Sequence, residues 1–248
     1  MNKESFDKNF FDTLYKTEDQ SFWFRSRNKI IIWLLKMYCG NFKKFIEIGC
    51  GTGYVLNGIK KEFPEAYYIG SEYFGEGIEF AKKRMPDVDF IQLDAKKMND
   101  DRIYDVVGIF DVLEHIDNDE LVLNNIYNSL LPNGMVFITV PQHMCLWSNA
   151  DIQACHERRY TQNELKKKMK TAGFEINYIS GFVSLLSPLM WLSRKNTKSD
   201  EEVETELEMN KYLNKLLLGV MDFERALLKL GVKFKFGGSI IAVGRKNN

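Results

Sequence analysis

The sequence predicts an α/β fold wound around a mostly parallel sheet, and three observations carry that prediction. Residues 44–53 read K-F-I-E-I-G-C-G-T-G, a short apolar run followed by glycines at 49, 51 and 53. Residues 54–63 then place apolar side chains at 55, 56, 59 and 63, a helical spacing, so the unit is strand, glycine turn, helix. Three further short apolar runs follow, at 67–70, 89–93 and 104–110, and each ends in an acid: Glu72, Asp94 and Asp111. Continuous apolar strands separated by helical segments are the pattern of a sheet covered on both faces. A ligand then belongs at the carboxyl ends of the strands, above the glycine turn.

The spacing also narrows the ligand. A dinucleotide fingerprint, G-x-G-x-x-G, would require a third glycine at 54, where this chain has Tyr54. Glu72 follows Gly53 by 19 residues, the distance at which an acid on the second strand tip meets ribose hydroxyls. A nicotinamide dehydrogenase on the same fold is the competing reading, and the residue at 54 argues against it.

The 248 residues, 45% hydrophobic, suffice for one large domain with accessory parts. Lys plus Arg and Asp plus Glu both total 34, so no broad nucleic-acid surface is expected. Cys39, Cys50, Cys145 and Cys155 form no C-x-x-C pair, which points to reduced thiols, to no disulfide framework and to no metal site. The opening M-N-K-E-S-F-D-K has no apolar core of a secretory signal, so a cytoplasmic location is expected.

Four parts are expected along the chain: a helical cap over 1–41, a core over 42–180, a helical insertion or lid over 181–234 and a closing strand over 235–248. In the cap, residues 5–15 read as a short helix, F-W-F-R-S-R follows at 22–27, and an apolar helix spans 29–38. After the fourth strand a helix is expected over 118–131, a Pro-Asn-Gly turn at 132–134 and a fifth strand over 135–140. Residues 142–160 gather Trp147, His156, Arg158, Arg159 and Tyr160, a density of polar and aromatic groups suited to a substrate. A capping box, T-Q-N-E, opens a helix at 161 that Gly173 ends, and a sixth strand spans 174–180. The apolar run at 182–192 is interrupted by Pro188 and is shorter than the ~20 residues a membrane span needs. Residues 198–208 read as an acid-rich linker. Residues 209–230 form an amphipathic helix, suited to packing on the sheet or to a lid resting on the inner face of a membrane.

Taken together, E-I-G-C-G-T-G, the ordered acidic strand tips and D-V-L-E-H-I at 111–116 resemble the class I S-adenosylmethionine-dependent methyltransferases, in the group that includes quinone-biosynthesis enzymes. F-W-F-R-S-R together with W-S-x-x-D-x-x-x-x-H-x-R-R-Y is similar to members tied to surface-glycan and lipid-linked sugar pathways, although Ala154-Cys155 stand where such relatives carry a glycine before the histidine. The resemblance implies a seven-stranded Rossmann-like sheet whose last strand, at 239–244, is antiparallel. It implies a cofactor site of Glu47, Gly49, Cys50, Gly51, Gly53, Glu72, Tyr73, Asp94, Ala95 and Asp111. Arg25 or Arg27 would pair with the cofactor carboxylate, since a guanidinium fork matches that group; as alternatives, the arginines are solvated and the aromatics around them are core.

The reaction implied moves a methyl group from S-adenosylmethionine to a small-molecule or lipid-linked acceptor, most simply onto oxygen, leaving S-adenosylhomocysteine. Alignment and exclusion of water supply most of the catalysis. A base is needed only where the acceptor must lose a proton, and His156 and His115 are the candidates. His115 would equally serve to shape the pocket, and His156 to brace Arg158 and Arg159 for an anionic acceptor alongside Trp147 and Tyr160. DNA amino methylation is not expected, because D-V-L-E follows the fourth strand. A cofactor-binding partner protein without catalysis is the second alternative.

Overall fold

The computed structural model describes residues 8–196 and 210–248. The acidic linker expected over 198–208 and the first residues of the opening helix lie outside the described residues. Seven strands form one sheet: β1 (Lys44–Ile48), β2 (Tyr67–Glu72), β3 (Asp89–Gln92), β4 (Tyr104–Phe110), β5 (Leu130–Pro141), β6 (Glu175–Phe182) and β7 (Ser239–Arg245). Their order is β3-β2-β1-β4-β5-β7-β6. β1 to β5 pair in parallel, and β7 runs antiparallel to both β5 and β6.

The chain winds outward from β1 to β3, then returns to begin again at β4 on the other side of β1. That reversal opens a crevice above the carboxyl ends of β1 and β4, where ligands bind in open α/β sheets. The glycine turn leaves β1 there and Asp111 leaves β4 beside it. Helices cover both faces, so β1 and β4 are buried throughout most of their length and need no polar alternation. Phe45 joins one core with Ile31, Leu34 and Leu56, while Ile46 and Ile48 join the other with Val107, Val122 and Ile138.

The helices are α1 (Lys8–Thr17), α2 (Phe22–Tyr38), α3 (Tyr54–Glu62), α4 (Gly75–Arg84), α5 (Asp119–Ser129), α6 (Asn149–Gln153), α7 (Gln162–Thr171), α8 (Ser187–Asn196) and α9 (Lys211–Lys229). Two departures from expectation are informative. α2 begins at Phe22, seven residues before the expected start, so the aromatic and arginine run is helical. The Pro-Asn-Gly turn, in contrast, does not precede β5 but loops out of it: pairing passes from Tyr104↔Leu130 directly to Val106↔Met135. The far end of the chain stabilises this loop, as the Asn133 N–H donates to the Lys246 carbonyl and the Lys246 ammonium to the Leu130 carbonyl.

α9 is tied to the cap. The Asn214 amide accepts from the Phe22 N–H and donates to the Gln20 carbonyl, and Lys29 pairs with Asp222 at 2.8 Å. Its inner face buries Met221, Leu228 and Glu224, whose carboxylate accepts the Ser184 and Leu185 N–H groups ahead of α8. Among the described residues, no helix is long and apolar enough to cross a membrane.

Candidate active site

At the crevice the glycine turn is shaped by what surrounds it. Gly49 has φ +69°, and a Cβ there would stand 2.3 Å from Val112 Cγ2, so a side chain would push away the segment that follows β4. Gly51 has φ +52° with nothing within 4 Å of an added Cβ, which leaves open space over the turn. The Gly51 N–H donates to Glu72 Oε2 at 2.9 Å, and Glu72 Oε1 accepts from the Tyr73 and Phe74 N–H groups. Glu72 is thereby locked over the turn, with burial pushing its pKa up against those three donors. Cys50 is buried beneath the turn, its thiol also raised by burial. Further along the edge, Asp94 caps a short 3-10 turn by accepting the Lys96 N–H at 3.0 Å, Ala95 is buried and Tyr73 is exposed.

On the other side of the turn, α2 delivers Arg27. Its guanidinium is buried, pairs with Asp111 at the tip of β4, and lies 4.4 Å from the Trp23 ring centroid and 5.3 Å from that of Phe24. Thr139 Oγ1 donates to the same Asp111 oxygen at 3.0 Å. Because the segment is helical, Arg25 lies about 200° around the axis from Arg27, and of the two it is Arg27 that is buried. Among the described residues, Arg27 Nε, Glu47 Oε2 and both Glu114 oxygens are buried without a hydrogen-bond partner. Burial drives the pKa of Glu47 and Glu114 well up. Such orphaned groups cost stability unless something meets them.

A strap closes the near side. Glu18, between α1 and α2, accepts from Thr52 Oγ1 of the glycine turn and from Arg84 of α4, while Arg84 Nε donates to the Thr52 carbonyl at 3.1 Å. Arg84 also lies over the Tyr15 and Tyr54 rings.

The segment at 142–160 forms the opposite wall. It returns through a bridge between Gln142 and Tyr160 and contains α6, whose Ser148 and Asp151 make a capping box. Asp151 is the hub: Arg159 reaches it with two nitrogens at 2.7 and 3.0 Å, and His156 Nδ1 lies 2.8 Å from its Oδ1. These partners hold the Asp151 pKa down to about 2, against its burial. His156 Nε2 points to Glu114 Oε1, 4.0 Å away, and the His115 ring meets the His156 ring edge-on at 4.7 Å. Burial and the neighbouring His156 lower the His115 pKa to about 4, so its imidazole is neutral at pH 7. Cys155 adopts φ +55°, the conformation glycine favours, at the position where glycine was expected from the resemblance.

The other residues expected to face a substrate are placed differently. Tyr160 is buried, and its hydroxyl donates to Asp119 Oδ2 at 2.7 Å. Arg158 pairs with the same Asp119 at 3.2 Å and donates to the Asp117 carbonyl. Both latch the segment to α5. Arg159 is committed to Asp151 and the Gln142 carbonyl, and Trp147 is half-buried just before the cap at Ser148.

A family profile described as a methyltransferase domain matches residues 17–179, well over half of the chain. The chain belongs to this family of methyltransferase domains. Its fold and relatives make it a class I S-adenosylmethionine-dependent methyltransferase domain, and S-adenosylmethionine its cofactor. It is 26% identical over 161 residues to a "probable S-adenosylmethionine-dependent methyltransferase" of Mycolicibacterium smegmatis, covering 64% of this chain and 61% of that one. It is 27% identical over 124 residues to the malonyl-[acyl-carrier protein] O-methyltransferase of Bacillus cereus, covering 49% and 46%. The chain thus spans about half to three-fifths of the length of these curated relatives. Phosphoethanolamine N-methyltransferase 2 of Haemonchus contortus, solved with S-adenosyl-L-methionine, superposes with a TM-score of 0.60 at 16% identity, covering 89% of this chain and 53% of that one.

In this methyltransferase domain several site groups were not legible beforehand. Glu18 and Arg84 lie far from each other in sequence and carry no motif, and Thr52, although inside G-C-G-T-G, gives no sign there that Glu18 will reach it. Glu114 lies within D-V-L-E-H-I, and nothing in that run marks it as a buried site group. Asp151 was legible as the acid of W-S-x-x-D-x-x-x-x-H-x-R-R-Y, but not as the hub that pairs with both His156 and Arg159.

Proposed function

We propose that this domain transfers methyl from S-adenosylmethionine to an oxygen of a small-molecule or lipid-linked acceptor. The cofactor, when bound, supplies an activated methyl group on a sulfonium. The residues fit it: the space over Gly51 accommodates the chain of the ligand, Glu72 offers a fixed carboxylate to the ribose, and Asp94 with the Ala95 N–H lies toward the base. Arg27 Nε and Glu47 Oε2, orphaned and buried, supply the donor and acceptor that an amino-acid end requires. Asp111 is set as the partner that orients Arg27, and Arg25 is not assigned to the site.

One observation carries the choice of oxygen. Asp151 holds His156 by Nδ1, which leaves the Nε2 lone pair facing the interior beside Glu114. An inward lone pair steered by a carboxylate can take a hydroxyl proton, whereas a neutral amine has no proton to lose before attack. The test is transfer of isotopically labelled methyl into a solvent extract of the source cells, with mass spectrometry of the product. A labelled ether or ester is expected, and His156→Ala should reduce turnover by ~10²–10⁴ while S-adenosylhomocysteine still binds. Label on nitrogen or carbon would overturn the assignment; binding without any transfer would favour a non-catalytic partner role.

A lipid-linked acceptor is supported by the outer surface. Tyr212, Leu216 and Phe223 of α9 and its C-cap Leu230 share one helical face, each 60% exposed or more, and Leu189 and Leu192 of α8 are also exposed. Lys211, Lys215 and Lys229 flank the α9 stripe. An apolar face edged by lysines suits an anionic bilayer surface, and α8 packs against the turn at Met144–Leu146 on the acceptor segment. Co-sedimentation with phosphatidylglycerol vesicles, abolished by Leu216→Glu with Phe223→Glu, is the expected result; equal recovery with neutral vesicles and with the double variant would remove it.

A further inference from the structure

Glu114, His115 and His156 bring one ligating atom each to within 4.8 Å of the others. We propose that these three side chains bind a divalent first-row transition ion of the zinc type, on the acceptor side of the site.

Four features of the cluster support a metal over an ordinary hydrogen-bond network. First, His156 is prepared as a ligand. Its Nδ1 is held by Asp151 at 2.8 Å, and Asp151 is itself fixed by Arg159 and by the Ser148 N–H at 2.9 Å. A carboxylate on one ring nitrogen, with the other nitrogen free to ligate, is the usual outer shell of a metal-bound histidine. Second, Glu114 is fully buried and both of its oxygens are without a hydrogen-bond partner. His156 Nε2 is 4.0 Å from Glu114 Oε1, too far for a hydrogen bond. Third, His115 packs edge-on against His156 at 4.7 Å and hydrogen-bonds to the backbone of Ala154 and Cys155, which orients its ring. Fourth, the neighbouring cations are already engaged. Arg27 is matched to Asp111 and Arg159 to Asp151, so neither outweighs the burial that pushes the Glu114 pKa up, and a bound dication would.

The donor set selects the ion. Two imidazoles and a carboxylate suit zinc and its neighbours, while magnesium and calcium require oxygen ligands. Ligand atoms ~2.1 Å from a tetrahedral ion lie roughly 3.4 Å apart, so side-chain adjustments of about an ångström close the cluster. Three protein ligands leave a coordination position for water or an acceptor oxygen.

The consequence for catalysis rests on the oxygen-acceptor reading above. A hydroxyl bound to the ion ionises near neutral pH: its O–H bond breaks, the proton passes to bulk water and the oxyanion stays on the metal. With the ion bound, His156 is a ligand and not the base, and the ion's acidification of the acceptor hydroxyl takes the place of proton removal by the His156 lone pair.

The experiment uses the full chain, stripped with chelator, desalted and titrated with Zn²⁺ alone by competition against a chelating dye, and with Co²⁺ alone by visible absorption. One Zn²⁺ per chain and the visible bands of Co²⁺ in a low-coordinate site are expected, unaffected by millimolar Mg²⁺. Glu114→Gln and His156→Ala should each weaken Zn²⁺ at least tenfold, and Asp151→Asn by ~10–100-fold. Cys145→Ser and Cys155→Ser should leave it unchanged. S-adenosylhomocysteine titration of every variant reports whether the fold is intact and separates the two readings. A wild-type chain that binds S-adenosylhomocysteine but no Zn²⁺ overturns the metal site alone, as does retained Zn²⁺ in folded Glu114→Gln and His156→Ala or its loss in either cysteine variant. Failure to bind S-adenosylhomocysteine at all would overturn the cofactor reading and not this one.

Discussion

Replacing Glu18 with Gln should change how stability depends on pH, and the sign is diagnostic. Glu18 is buried between Thr52 and Arg84, and burial lifts its pKa from 4.5 to about 7 even though both partners and Arg27 act to lower it. A folded pKa above the unfolded one means that the native state holds the extra proton between those values. The associated stability is therefore complete below about pH 4.5 and is lost as pH rises through 7. At ~1.4 kcal/mol for each pH unit, the interval amounts to roughly 3 kcal/mol. For a domain of this size that corresponds to a change in thermal midpoint on the order of 6–12 °C. Glu18→Gln keeps the shape and lacks the titration. The midpoint of the wild type relative to Glu18→Gln, followed by circular dichroism from pH 4.5 to 7.5, should fall by that order. Parallel curves would refute the reasoning. A wild type that gains on the variant as pH rises would show that Arg84 outweighs burial and keeps Glu18 ionised. The outcome matters for function because Glu18 fastens the cap to the glycine turn.

Further expectations address single contacts. Gly51→Val should abolish S-adenosylhomocysteine binding in calorimetry while costing stability only the ~1–2 kcal/mol of a left-handed backbone, since its Cβ enters open space. Arg27→Met leaves the partly buried Asp111 without its cation and should cost ~1–3 kcal/mol in urea unfolding, whereas Arg25→Ala should change stability by less than about 0.5 kcal/mol and leave cofactor affinity alone. Tyr160→Phe removes the hydroxyl that Asp119 accepts and should cost about 1.5–3 kcal/mol, with the Michaelis constant for the acceptor unchanged; a raised Michaelis constant at unchanged stability would return Tyr160 to the substrate. Cys155→Gly should raise the thermal midpoint, because it relieves a positive φ.

How far the site could be read beforehand depended on distance along the chain. The glycines at 49, 51 and 53 and the acids at the strand tips were readable because each lies in a contiguous strand-and-turn pattern, and the parallel sheet then carries the tips to one edge. The two arginines of F-W-F-R-S-R could not be separated without knowing that α2 starts at Phe22, since only the helical phase sends Arg27 inward. Tyr160 read as a substrate group because its hydroxyl partner, Asp119, lies 41 residues away. The loop at 131–134 read as a plain turn because the strand end that receives it, at Lys246, is at the far end of the chain.

From the sequence alone came the order of strands and helices, the glycine turn and the closing strand, because these follow from hydrophobic period and backbone conformation within short windows; the cofactor class came from the resemblance of those motifs to a known family. Only the tertiary structure decided which arginine is buried against Asp111, that Glu18 clamps Thr52, and that Glu114, His115 and His156 converge around the hub of Asp151. Those outcomes depend on burial and on distances between groups from separate elements, which exist only once the helices have packed on the sheet.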